Sequence, residues 1–416
     1  MLKQARALKV RDFQITLITR SLVAMSLQGQ AVAVGWYVYE LTKDPLILGL
    51  IGLAEAIPAI GFSFVSGHVV DSRRPTRVYQ ISILILALNS FLLLMTVLPQ
   101  LPLPATFRLI ALFSGVFVSG MVRSFTSPAV FAVNSHVIPR KDQAEAAAWN
   151  SSAFQLACIL GPAVAGLLYG AAGAPVAFAL PLGLICTAMI SVLGFTPSTQ
   201  KMKVNSTREP FLKSVRAGIQ FAFHQKVLLS TMSLDMFSVL FGGAVAVLPV
   251  FSDQILKGGS TSLGFLRAAP AVGSICVALY LSSRPLKVIS GKMFLTVVAG
   301  FGFCILGFAL STNFWSALLF LAISGAFDGV SVVVRGTILQ LLTPENMRGR
   351  ISSLSMIFIT SSNEIGAFES GLAARLLGLV PSIIFGSLMT LGVVATTAWV
   401  SPELRETRIV PSEEKS

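Results

Sequence analysis

The sequence predicts an all-α integral membrane protein with twelve transmembrane helices in two pseudo-symmetric six-helix halves. Three observations predict it. The chain is 54% hydrophobic and only 12% charged over 416 residues, whereas a soluble globular chain carries about 25% charged residues. Apolar runs of spanning length recur along it, and about 20 mostly apolar residues cross a bilayer as a helix. One stretch, Ser119 to Gly166, is also read twice. At a shift of 205, Ser119-Gly120 falls on Ser324-Gly325, Pro139 on Pro344, Gly161 on Gly366 and Gly166 on Gly371. A long-period repeat of this kind marks homologous halves.

The first half, residues 1–196, holds expected segments at 13–40, 47–70, 77–99, 104–138, 142–171 and 174–195. A cytoplasmic linker, 197–225, follows. The second half, 226–402, holds segments at 227–254, 261–282, 289–311, 314–342, 346–377 and 380–400, and a tail occupies 403–416. Tilt accommodates the runs longer than 20 residues. The N-terminal apolar run continues to Tyr39, which reads as a retained first helix rather than a cleaved signal.

Charge sets the orientation. Of the 31 basic residues, 23 lie at the N-terminus, in alternate loops, in the linker or in the tail, and only Lys43, Arg108 and Lys257 lie on the opposite side. Basic loops are cytoplasmic. Both termini are therefore expected in the cytoplasm, with the protein multi-pass in the inner (plasma) membrane. The net charge of +13 is explained by this bias and not by nucleic acid. Cys158, Cys186, Cys276 and Cys304 stand singly in apolar runs, as buried hydrophobes do, and no pair has metal-ligand spacing. In the linker, Phe211, Leu212, Val215, Ile219 and Phe223 share one face of an expected amphipathic helix over 209–224. It suits an interfacial helix or a plain connector.

Charges within membrane segments are costly and mark function. Away from segment ends the chain has Arg20, Glu55, Arg123, Asp235, Arg267, Asp328, Arg335, Glu364, Glu369 and Arg375. The repeat pairs opposite signs: Arg123 with Asp328, Glu55 with Arg267 through the matched Pro58 and Pro270, and, at a looser register, Arg20 with Asp235. Such charges can form ion pairs that hold a bundle or that break and re-form during transport. An acid in a low-dielectric site can carry a proton, so Asp235, Asp328 and Glu364 are the proton-coupling candidates. Arg123, Glu55, Arg267 and Arg20 complete the candidate cavity set, and Arg20, near the cytoplasmic face, reads equally as an arginine that snorkels to the surface.

The run from Gly67 to Arg77 joins segments two and three, with Asp71 four residues after Gly67 and Arg73, Arg74 and Arg77 following. Here the chain resembles the major facilitator superfamily, whose corresponding loop has that order. Ser72 stands where the family usually has arginine. The resemblance implies a cytoplasmic gate at Gly67, Asp71, Arg73, Arg74 and Arg77. Gly161, Pro162 and Gly166 resemble the family's antiporter motif, and Arg123 its buried fourth-helix arginine. The same residues also read as a small-residue helix contact with a proline bend. The run Thr337 to Arg350, then Asn363-Glu364-Ile365-Gly366 and Ser370-Gly371, resembles the superfamily branch that includes the enterobactin exporter. Thr343-Pro344 there reads as an N-cap and first-turn proline opening the eleventh helix.

The resemblance implies a secondary active transporter: a proton-coupled exporter of a small organic compound, siderophore or amphipathic drug, working by rocker-switch alternating access. An importer or lipid flippase on the same fold is the alternative, and a non-transporting membrane receptor a further one. No nucleophile-base or metal cluster suggests an enzyme, and no Gly-x-Ser-x-Gly occurs. The expected partners are a small-molecule substrate and the bilayer. A monomer is expected, with no cofactor beyond a proton gradient and no metal.

Overall fold

Within a bilayer the backbone must satisfy its own polar groups, so long apolar runs close into helices. The computed structural model describes residues 6–139, 142–196, 220–284, 288–344 and 347–409. Its helices are α1 (Arg11–Thr42), α2 (Pro45–Ser72), α3 (Pro75–Val97), α4 (Ala105–Val137), α5 (Gln143–Val192), α6 (Lys226–Gly242), α7 (Leu248–Gln254), α8 (Gly259–Ser283), α9 (Gly291–Ala309), α10 (Phe314–Leu342), α11 (Arg348–Leu377), α12 (Leu379–Val400) and α13 (Pro402–Glu406). Two short strands, β1 (Ile289–Ser290) and β2 (Arg408–Ile409), pair antiparallel.

Local chemistry sets the ends. Pro75 opens α3, where a missing N–H costs nothing. Ser290 caps α9 by accepting from the Met293 N–H at 3.2 Å, and Asn313 caps α10 by accepting from the Ser316 N–H at 2.9 Å. The expected cap at Thr343 is corrected: Thr343 closes α10 in extended backbone. Its hydroxyl is buried without a partner among the described residues, and α11 begins at Arg348. Of the expected linker helix, 209–219 lies outside the described residues. Gln220–His224 is helical, and its Ala222 packs with Met232, Ile351 and Leu354.

Ten helices among the described residues are long and apolar enough to cross a membrane. One of them, Glu145–Val192, has 48 residues. At 1.5 Å per residue that is about 72 Å, twice what a bilayer needs. It turns at Gly173, whose φ is 78° and ψ −176°. This break falls where the sequence places the gap between its fifth and sixth segments. α11 is outside the ten and carries Glu364, Glu369 and Arg375. The segment expected at 227–254 is broken. Gly243 leaves helical geometry and Ala244–Val247 forms a 3-10 turn between α6 and α7. The freed Gly243 carbonyl accepts from the Ser370 hydroxyl of α11 at 2.8 Å.

The chain divides into two compact units that cross the sequence halves. The first comprises 1–43, 53–208 and 258–268; the second comprises 44–52, 209–257 and 269–416. Each unit thus takes in the opening turns of one helix, α2 or α8, from the other half. In the first unit, buried Tyr79, Ile83 and Leu86 of α3 pack with Val122, Val130 and Val133 of α4 and Ile185 of α5. In the second, Leu234, Phe294, Val298, Val334 and Ile338 form the core.

Candidate functional site

Small residues let helices approach where lipid offers no hydrophobic drive. Gly120 of α4 is such a contact, since a side chain there would collide with the Glu55 carbonyl of α2. Arg123 lies one turn further on the same face, and its guanidinium donates to the Glu55 carboxylate at 2.8 Å. Sequence matching sets Glu55 opposite Arg267 and Arg123 opposite Asp328. The structure instead joins Glu55 and Arg123 within one unit.

The second unit repeats the contact with a slip. Gly325 of α10 abuts Pro270 of α8, and Gly273 abuts Ala322. Pro270 is the counterpart of Pro58, so the contact has moved three residues along from the counterpart of Glu55. Three residues are about 4.5 Å of helix. Asp328 lies one turn beyond Gly325 and is exposed. Among the described residues its side chain has neither hydrogen bond nor ion pair.

Asp235 of α6 forms an ion pair with Arg335 of α10. The two side chains are 7% and 9% exposed, against 27% and 38% for Glu55 and Arg123. That difference ranks them. Breaking a buried pair costs about 3–5 kcal/mol, while an exposed pair is worth about 0–1 kcal/mol. The sequence marks Arg335 as an in-segment charge but does not join it to Asp235. Glu364 of α11 sits beside Gly52: a side chain on Gly52 would come within 3.7 Å of its carboxylate. Arg267 lies within electrostatic reach of Cys158 on α5. Arg375 and Asp44 pair at 3.1 Å. No group of three His, Cys, Asp or Glu among the described residues could hold a metal.

The antiporter-like residues are all helix contacts. A side chain on Gly161 would come 2.6 Å from the Met25 carbonyl of α1, and one on Gly166 would come 2.6 Å from the Ser260 carbonyl of α8. Their repeats behave alike: Gly366 faces the Leu240 carbonyl at 2.7 Å and Gly371 the Pro45 carbonyl at 2.7 Å. Pro162 lies in the same seam, its carbonyl 2.6 Å from where Gly264 would carry a side chain. In the run expected to form a gate, Gly67 has open space around it, and Arg73, Arg74 and Arg77 are exposed. Those arginine side chains make no hydrogen bond or ion pair among the described residues. Asp71 is in α2, and its side chain lies outside the described ones.

Two features go beyond what the in-segment charges mark. One is a buried polar network across α1, α3 and α4. Gln30 donates to the Ser119 hydroxyl at 2.9 Å, Asn89 donates to the same hydroxyl at 3.0 Å, and Ser90 donates to Gln30 at 3.5 Å. Only Ser119 had a sequence signal, as part of the repeat. The other is a cavity of about 650 Å³ in the first unit, between α1, α4 and α5. Arg20, Phe131, Asn134, Ser151 and Phe154 are among its walls. Trp36 donates to Glu40 at 2.7 Å and meets Tyr169 edge-on.

The fold matches solved transporters. A peptide-transporter (POT) family structure aligns over 95% of this chain and 97% of its own, with TM-score 0.77 and 11% identity. A structure of the nucleoside transporter NupG aligns over 93% of this chain and 99% of its own, with TM-score 0.67 and 14% identity. At such identities the likeness shows the fold alone. In sequence the chain is similar to the enterobactin exporter EntS of Escherichia coli O1:K1, 25% identical over 404 residues, covering 94% of this chain and 92% of that protein. It is similar also to the multidrug efflux pump Tap of Mycolicibacterium fortuitum, 24% identical over 390 residues, covering 90% and 92%. The model of the family described as transmembrane secretion effector matches residues 7–415. The chain is thus a multi-pass membrane transporter, not an enzyme, and belongs to the transmembrane secretion effector family of the major facilitator superfamily.

Proposed function

We propose that this chain exports a small organic compound, of siderophore or amphipathic drug type, in exchange for protons by rocker-switch alternating access. The observation that carries export is the exporter activity of relatives matched over nine-tenths of the chain. The repeated glycine seams support alternating access, because small-residue contacts at equivalent places in both halves suit helices that re-pack without unfolding. Asp328 supports proton coupling, being a carboxylate in a membrane helix with no ion-pair partner among the described residues. In this reading there are twelve crossings, with α5 contributing two and α11 one. The protein sits in the inner membrane as a monomer, both termini are cytoplasmic, and the proton gradient is the only co-reactant.

Proteoliposomes with an imposed pH gradient test this. Ethidium and a catechol siderophore are loaded on one face at a time. The expected result is movement against the gradient from the cytoplasmic face, lost in Asp328→Asn. Movement only in the inward direction would make the protein an importer. Full proton-driven transport by Asp235→Asn, Asp328→Asn and Glu364→Gln alike would end the proton-coupling proposal.

A further inference from the structure

The two halves treat one membrane-embedded charge differently. Gly161 abuts Met25, and its repeat Gly366 abuts Leu240, which fixes a shift of 215 between α1 and α6. That shift places Arg20 on Asp235, a match that sequence alone makes only loosely. In the second unit Asp235 is neutralised by Arg335 of α10. The repeat position of Arg335 on α4 is Val130, a buried apolar residue. The first unit therefore carries a cation where the second carries an anion, and an apolar residue where the second carries the neutralising charge. The Arg20 side chain makes no hydrogen bond or ion pair among the described residues. It stands nine residues into α1, about 14 Å along the helix.

In place of a counter-ion Arg20 faces a cavity. Arg20 and Val130 both line the space of about 650 Å³, which is the size that holds a drug-sized ligand. Phe131 and Phe154 present apolar faces there, 70% and 42% exposed. Asn134 and Ser151 supply polar groups, and the Asn134 amide oxygen is buried with no partner among the described residues. An unpaired guanidinium beside exposed rings selects a ligand that is anionic at one end and aromatic at the other. We propose that this cavity is a binding site for organic anions with an aromatic body, with Arg20 as the counter-ion that the second half supplies from within. As a statement of substrate class this rests on the exporter reading; as a statement of binding it stands apart from it.

The test uses the full chain in phosphatidylcholine nanodiscs, with naphthalene-2-sulfonate as the anionic probe and naphthalene-2-methanol as its neutral match. Arg20→Gln is expected to weaken the sulfonate by about tenfold or more, since a charge-assisted hydrogen bond is lost. Arg20→Lys should stay within about threefold, as the charge remains. Val130→Asp restores the missing counter-ion and should weaken the sulfonate as Arg20→Gln does, in a protein that keeps its arginine. The alcohol should bind all four proteins equally. Equal sulfonate binding by wild type and Arg20→Gln would overturn the site, as would an equal loss of the alcohol. Competition from added phosphatidylglycerol would overturn it in favour of a lipid headgroup. Proton-driven export of the catechol siderophore from proteoliposomes is measured alongside. Its absence with sulfonate binding intact would count against export and not against the site.

Discussion

Gly173 and Gly378 stand 205 residues apart and make the same turn. Gly173 has φ 78° and ψ −176°, and Gly378 has φ 94° and ψ 162°. Each is followed by a proline ring, Pro175 or Pro381, within 4 Å of where a side chain would start. The repeat that begins at Ser119 therefore extends past Gly166 and sets the hairpin closing each half. Only glycine adopts this backbone region without strain. Gly173→Ala and Gly378→Ala should each destabilise the protein by about 1–3 kcal/mol. Thermal unfolding in detergent measures this. An unchanged midpoint for both would mean the turns differ from those described.

The glycine contacts within the bundle make a second, graded prediction. A side chain on Gly120 would strike the Glu55 backbone, whereas Gly67 has nothing within 4 Å. Gly120→Val should part α2 from α4, separate Arg123 from Glu55 and abolish transport. Gly67→Ala should leave expression and fold unchanged. Overpacking a filled contact costs typically about 1–3 kcal/mol. Chemical crosslinking between cysteines placed on α2 and α4 reports the separation. Equal crosslinking in Gly120→Val and wild type would refute it.

The two ion pairs should respond to charge removal by very different amounts. Arg335→Leu leaves Asp235 buried and unpaired, at a cost of about 3–5 kcal/mol. Arg335→Leu combined with Asp235→Leu should recover most of that, because apolar residues replace the pair without an orphan charge. Glu55→Gln should cost about 1 kcal/mol or less, its pair with Arg123 being partly exposed. Unfolding midpoints of the four proteins decide it. A double variant no more stable than Arg335→Leu would show that the second pair is held by more than mutual neutralisation.

What was legible in the sequence follows from what periodicity can carry. The spans, the repeat and the Gly173 break rest on residue types whose geometry is local, and apart from the interrupted 227–254 the described helices lie close to the expected segments. Ion-pair partners depend on how helices rotate and slide, which no one-dimensional match contains. Matching Glu55 to Arg267 identified equivalent positions, not touching ones. The three-residue slip at Pro270 had no sequence signal. Nor had the contacts of Gln30 and Asn89 with Ser119, since uncharged polar residues do not stand out among the other serines and glutamines of the chain. The Arg20 cavity was half visible. The charge was plain, but its missing counter-ion became readable only once the Met25 and Leu240 contacts fixed the register.

The tail supplies the last prediction, where two effects of different size compete. Leu404 of α13 is fully buried, and its carbonyl occupies the space a side chain on Gly291 would need. The same tail is tied by Lys226 donating to Glu403 at 2.7 Å. That hydrogen bond holds the Glu403 carboxyl below the usual carboxylate range. Because the folded-state value is lowered, the stabilisation is present above the unfolded value and is lost as pH falls through the folded one. Both side chains are largely exposed, 74% and 41%, and exposed pairs contribute little. Steric exclusion should therefore win. Gly291→Ala should free residues 402–409 to rapid amide exchange at every pH. Glu403→Gln should leave them protected at neutral pH and should match wild type in acid, where wild type has already lost the pair. Release of the tail by Glu403→Gln to the extent seen in Gly291→Ala would show that the ion pair, and not the Leu404 contact, holds the tail down.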